Sequence, residues 1–264
     1  MIHFGMPTLP EAESLEECCQ FCHNLGLDFV ELNMKMPEYQ LDSLNTNMLK
    51  ETAERYGIYY TIHMEPNLSP CDFNMRVAEA YTETVLLAIA LAKNIGVPIL
   101  NMHLAEGAGF SLPNKRANLF DVYEDVYLQK MTSFRNRCEE AIGEANVKIC
   151  VENTDGYKRF PFLEKSLDLL LGSPVFALTF DIGHNATIGF ADEPIILGRA
   201  DRLKHMHVHD AKDGNSHLPL GAGELNLAKY LDLANKHGCS VLLETKTKNG
   251  LISSVEWLGK NWDT

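Results

Sequence analysis

Residues 176–184 read FALTFDIGH, residues 203–210 read LKHMHVHD and residues 241–247 read VLLETKT. Each is a short, largely apolar run of strand length that ends on carboxylates or imidazoles. The same design recurs upstream. Strands are expected at Ile2–Gly5, Phe29–Asn33, Tyr59–His63, Ile99–His103 and Ile149–Glu152, followed by Phe176–Asp181, Leu203–His209 and Val241–Thr245. Between them lie segments with apolar residues at helical spacing: Glu13–Leu25, Arg76–Ile95, Tyr123–Ala145, Leu163–Leu171 and Leu227–His237. Gly26, Gly57, Gly96 and Gly238 stand where a helix should give way to a strand, the place of a C-terminal cap.

Strands that alternate with helices pair in parallel. Eight such units in 264 residues average about 33 residues each, the size of a closed barrel repeat. The expected fold class is therefore α/β, a (β/α)₈ TIM barrel, with residues 1–264 forming a single domain. An open doubly wound sheet would carry a glycine-rich phosphate turn after its first strand. Here that turn reads GMPTLPE, without the G-x-G-x-x-G pattern.

In a parallel barrel the strand ends converge on one mouth, where barrel active sites are built. They bring Glu31, His63, His103, Glu152, Asp181 with His184, the series His205, His207, His209 and Asp210, and finally Glu244. One histidine at a strand end is usually a hydrogen-bonded scaffold residue. One glutamate can simply favour the next helix N-terminus. Many carboxylates and imidazoles at a single opening need positive charge among them. Few basic residues are placed to supply it, which points to a metal. Carboxylates and imidazoles without thiols suit Zn²⁺, Mn²⁺, Co²⁺ or Fe²⁺ better than Ca²⁺. The expected cofactor is a divalent metal, Zn²⁺ or Mn²⁺, with room for more than one ion.

Composition narrows the partners. The formal net charge of −13 repels nucleic acid and anionic membranes. No apolar run approaches membrane-spanning length, and the N-terminal residues show no secretory signal, so a cytoplasmic protein is expected. The seven cysteines include Cys18, Cys19 and Cys22 close together, but no second pair stands at zinc-ribbon spacing. They are expected to be small buried apolar side chains rather than a redox or zinc site. A homodimer is the default assembly.

The motifs LGLDFVELNM, VEN, TFDIGH, HMHVHD, LPLGAGELN and LLETKT together resemble the xylose-isomerase-like barrel superfamily, from the first strand to about Trp257. That group contains sugar phosphate isomerases and epimerases as well as endonuclease IV. The epimerase pattern implies one ion held by Glu152, Asp181, His207 and Glu244. The endonuclease pattern uses up to three zinc ions and adds His63, His103, His184 and His217. It also has an Asp two residues before the last of these, where this chain has Asn215, and a DNA-probing Tyr after the third strand, where this chain has Pro66. A second ion beside His63 and His103 fits the pattern better than a third.

The resemblance implies an enzyme acting on a sugar or sugar phosphate by proton transfer through an enediolate. Glu152 and Glu244 would be ligands and proton carriers, with His184 orienting an oxygen or relaying a proton. Glu31, Lys212 and Lys246 are the expected substrate contacts; the lysines either meet a phosphate or are solvated surface side chains. Gly221 and Gly223 would either admit substrate to the backbone or form a plain turn. The alternative is a zinc-dependent phosphodiesterase acting at abasic DNA sites. A noncatalytic sugar-binding barrel is a third reading that nothing in the sequence favours.

Overall fold

The computed structural model describes residues 2–154 and 156–262. The expected domain ends, Met1 and Thr264, lie outside the described residues. Eight parallel strands close into a barrel: β1 (His3–Pro7), β2 (Phe29–Asn33), β3 (Tyr59–His63), β4 (Ile99–His103), β5 (Lys148–Glu152), β6 (Phe176–Asp181), β7 (Leu203–Val208) and β8 (Ser240–Leu243). β1 pairs with both β2 and β8, which removes every open edge of the main sheet.

Strand alternation divides the buried side chains into two sets. Val30, Leu32, Ile62, Leu100, Met102, Val151, Leu178, Phe180, Met206 and Val208 join one core shared with the surrounding helices. The other set fills the barrel itself. Ile99, Cys150 and Ala177 form a separate small apolar cluster there. Two residues further along those strands, Asn101, Glu152 and Thr179 are polar and equally buried. The barrel is thus apolar lower down and polar toward the C-terminal ends of its strands.

Helices follow the predicted spacing closely. Met75–Ile95 and Leu227–His237 begin on Asn side-chain caps and end on left-handed Gly96 and Gly238. Thr46–Tyr56, ending at Gly57, and Lys248–Asn261 complete the outer layer. No helix among the described residues is long and apolar enough to cross a membrane.

Two corrections concern the mouth. The seventh strand was expected to run through His209, but β7 stops at Val208 and Asp210 opens a hairpin, Asp210–Lys212 with Asn215–Leu218. A second hairpin, Gly109–Leu112 with Lys115–Asn118, rises after β4. Both are short and mostly polar or exposed, so neither carries the alternating pattern that marks a half-buried strand.

All seven cysteines are free and buried. Burial pushes the Cys19 thiol up to about 12. The Cys22 sulfur lies 3.3 Å from the Phe29 carbonyl oxygen. These are thiols packed in a core, not the exposed and acidic thiols of a reactive pair.

Candidate metal centre

Strand register sets the mouth. His103 lies opposite Glu152, Glu152 opposite Thr179, and Asp181 opposite His207, which also pairs with Leu242 of β8. Four neighbouring strands therefore bring His103, Glu152, Asp181 and His207 to the same mouth.

A hydrogen-bonded floor lies below. The Thr179 hydroxyl donates to Asn101 Oδ1 at 2.6 Å, and Asn101 Nδ2 donates to Glu152 Oε2. The Thr61 hydroxyl donates to Glu31 Oε2 at 2.9 Å, and His205 Nε2 faces the same oxygen at 3.2 Å. His205 Nδ1 is 2.7 Å from the Ser240 hydroxyl. Glu31 was expected to contact substrate. It is 1% exposed and lies against His207, with Oε1 3.4 Å from His207 Nε2, and Glu31, His205 and His207 can offer one ligand atom each within 4.8 Å. Glu31 is the middle residue of β2, two residues before the strand's end at Asn33.

Above this floor the pattern changes. His207 is fully buried, and neither ring nitrogen makes a hydrogen bond. His207 Nδ1 nevertheless lies 3.4 Å from Glu152 Oε1, 3.8 Å from Asp181 Oδ2 and 3.7 Å from Glu244 Oε2. Glu244 Oε2 and His184 Nδ1 are also buried without a hydrogen bond. Buried polar atoms normally find partners. Here several donors converge without bonding one another, which is the arrangement of ligands around a cation.

Asp181, His207 and Glu244 can offer one ligand atom each within 4.8 Å, as can Glu152, Asp181 and His184, and also His63, His103 and Glu152. The expected four-residue set is thus spread over two overlapping groups that share Asp181. The third group is adjacent through Glu152. His63 Nδ1 is 2.8 Å from the Met64 carbonyl oxygen, so it carries the proton and leaves Nε2 facing Glu152 Oε2 at 3.4 Å. His103 Nε2 faces that oxygen at 3.1 Å.

Electrostatics agree with this geometry. Burial would raise the Glu152 carboxyl, but His207, His103 and His184 hold it well below the usual carboxylate range. Burial would likewise raise Asp181, and His209 and His184 overcome it. Burial would lower His207, yet Glu152 and Glu31 hold it well above the ordinary imidazole value. His184 rises to about 9 because Glu152 and Asp181 outweigh its own burial. His217 falls to about 4, through burial and despite Glu244.

Several residues support the centre without offering it a free ligand atom, and two of them, Asn153 and Gly183, carry no signal of their own in the sequence. Asn153 Nδ2 donates to the Asp181 carbonyl at 2.9 Å, and its Oδ1 accepts the Asp181 N–H at 2.8 Å. The Asn of the VEN motif thus pins the next strand end. His209 accepts the His217 N–H on Nδ1 at 2.8 Å and faces Asp181 with Nε2 at 3.1 Å. It orients a carboxylate and has no free nitrogen. A Cβ on Gly183 would lie 1.9 Å from the His209 ring, so the Gly of DIGH makes room for that imidazole. Asp210 accepts the N–H groups of Ala211, Gly221 and Leu225 at 2.9–3.0 Å. A Cβ on Gly223 would meet Asp210 Oδ1 at 2.4 Å, which assigns Gly223 to this turn.

The two lysines expected to meet a phosphate differ in place, and only Lys246 reaches a residue of the centre. Lys212 pairs with Glu224 at 3.0 Å, and Lys246 with Glu244 at 3.2 Å. A cleft of about 620 Å³ opens beside the centre, lined by Pro66, Asn67, Ser69, Asp72, His103, Glu106, Thr154 and His184 among others. None of its described lining residues is a lysine or arginine. Arg159 engages the rim residue Glu106 at 2.8 Å.

A family model for the xylose isomerase-like TIM barrel matches residues 19–261. The chain belongs to the xylose isomerase-like TIM barrel family. An uncharacterized protein of Methanocaldococcus jannaschii is 20% identical over 244 residues, covering 90% of this chain and 86% of the relative. A D-tagatose 3-epimerase-like protein has a TM-score of 0.77 at 23% identity, covering 98% of this chain and 96% of the other. A family 2 AP endonuclease from Brucella melitensis has a TM-score of 0.72 at 15% identity, with 100% of both chains covered. The IolI protein with a bound zinc atom has a TM-score of 0.73 at 14% identity, covering 98% of this chain and 96% of that one. At such identities the likeness concerns the fold. Members and neighbours of this barrel family are mostly enzymes, among them sugar epimerases.

Proposed function

We propose that the chain is a divalent-metal-dependent isomerase or epimerase of a small sugar, or of its phosphate, acting by proton transfer through an enediolate. The whole barrel is taken as one catalytic domain working in the cytoplasm. The observation that carries this reading is the buried His207, unbonded at both nitrogens and surrounded by Glu152, Asp181 and Glu244.

Asp181, His207 and Glu244, with Glu152, would hold the first ion, and His63 and His103 a second that shares Glu152. A divalent ion held by these residues would polarise a substrate's carbonyl and hydroxyl oxygens and offset the charge developing on them. The protein does the rest. Glu152 and Glu244 approach His207 from β5 and from the end of β8, so two carboxylates can flank a substrate carbon. One takes a proton from that carbon, and the other returns a proton. The floor donors Asn101 and Thr179 keep Glu152 in one orientation, which proton transfer requires. His184, at the edge of the cleft, orients a hydroxyl or relays its proton. Asp72 and Glu106 on the cleft wall suit sugar hydroxyls better than phosphate.

A phosphodiesterase is favoured by one observation, the His63–His103–Glu152 group, because paired ions serve phosphoryl transfer. The net charge of −13 and a cleft without lysine or arginine in its described wall oppose a DNA substrate. The test is a panel of ketoses and ketose phosphates in deuterated water with the metal-loaded protein. The expected result is deuterium at the carbon beside the carbonyl of at least one sugar, lost in Glu152→Gln and Glu244→Gln. Product formed without deuterium uptake would reject proton transfer in favour of a hydride shift. Incision of an abasic oligonucleotide, abolished by Glu152→Ala, would favour the phosphodiesterase.

A further inference from the structure

His217 and Lys246 both hold a backbone that side-chain-bearing residues rarely adopt, with φ of 59° and 54°. Such conformations persist where the surroundings impose them, often at functional sites. The two side chains meet: Lys246 Nζ lies 3.0 Å from His217 Nε2 and 3.2 Å from Glu244 Oε1. His217 Nδ1 is 3.1 Å from the Glu244 carbonyl oxygen, so Nδ1 carries the ring proton and Nε2 presents a bare lone pair to the ammonium.

His184, His209 and His217 bring nitrogens within 4.8 Å of one another, which by distance alone is a further metal-binding group. Hydrogen-bond bookkeeping removes it. Both nitrogens of His209 are already engaged, one by the His217 N–H and one by Asp181. Asn215, two residues before His217, turns its amide to the carbonyls of Lys212 and Asp213 at 3.3 and 3.4 Å. The remaining nitrogen, His217 Nε2, faces Lys246.

We propose that the Lys246 ammonium is a built-in cation that occupies the His217–Glu244 corner and keeps a metal ion out of it. Ions are then confined to the His207 centre and the His63–His103 side. The inference rests on the metal-centre reading above and adds which corner is closed, and by what.

Saturation with Zn²⁺, removal of free metal by dialysis, and elemental analysis test this. Lys246→Asp replaces the ammonium with a ligand, and Asp tolerates the left-handed backbone. Lys246→Gly also suits that backbone and only removes the cation. The side chain is about half exposed, so neither change opens the core. Each variant should hold one zinc ion more per chain than the wild type, more tightly in Lys246→Asp. Adding His217→Ala should abolish the extra ion. Equal zinc counts in the wild type and both variants would overturn the proposal. So would a wild-type ion that disappears in His217→Ala. A wild type that holds no zinc, alongside variants that gain one, would spare this proposal but contradict the His207 centre.

Discussion

The two flanks of the mouth use the same residue types to different ends. On one side, His63 and His103 both turn Nε2 toward Glu152 Oε2, at 3.4 and 3.1 Å, and among the described residues no lysine or arginine pairs with that carboxylate. On the other, His217 turns Nε2 toward Lys246, and His209 is consumed in orienting Asp181. Three imidazoles within reach of one another do not make a metal site. What decides is which ring nitrogen each neighbour leaves free.

The largest effect should come from the carboxylate common to the centre and the open flank. Glu152→Gln keeps an oxygen for the metal but removes a base, so turnover of the accepted sugar should fall by about 10²–10⁴-fold. Circular dichroism should stay native. Near-normal turnover would show that Glu152 is not a proton carrier.

Next comes the open flank itself. His63→Ala or His103→Ala should reduce the number of tightly bound zinc ions by one and leave the ion at His207 in place. An unchanged count would close that flank too and erase the comparison.

Asn153→Ala tests a support rather than a ligand. It strands the buried N–H and carbonyl of Asp181. The expected cost is about 1–3 kcal/mol, read as a lower thermal midpoint, with weaker metal binding. No change in either would remove Asn153 from the account.

A smaller effect concerns protons. The His184 imidazole is held at about 9 against an ordinary 6.5. A folded-state value above the unfolded one stabilises fully below about 6.5, and that stabilisation is lost as pH rises through about 9. The metal-free protein should therefore melt lower at high pH, and His184→Ala should flatten part of the slope. Metal binding near neutral pH should release protons, seen as a buffer-dependent binding heat. Heats independent of the buffer would contradict the protonated cluster.

Lys212→Ala should change least, within about 0.5 kcal/mol of stability, because its pair with Glu224 is exposed.

The barrel was legible because seven of eight apolar runs end on a polar residue and helix patterns separate the runs. Residue types at the mouth were legible for the same reason, since alternation puts Glu152, Asp181 and His207 on the inner face. Contacts were not. Glu31 is the middle residue of FVELN and Glu152 the last of KICVE, but the contacts each makes across the barrel follow from register between strands, which the sequence does not show. Nor could the chain show that His209, two residues after His207, is spoken for by the His217 N–H. That bond exists only because residues 210–218 fold back as a hairpin, and their polar sequence gives no strand signal.

A crystal structure of zinc-loaded protein, with anomalous scattering recorded on both sides of the zinc edge, tests the central claim most directly. The account predicts one peak among Asp181, His207 and Glu244, a second beside His63 and His103, and none within ligand distance of His217. Absence of the first peak, or a peak at His217 Nε2, would contradict it.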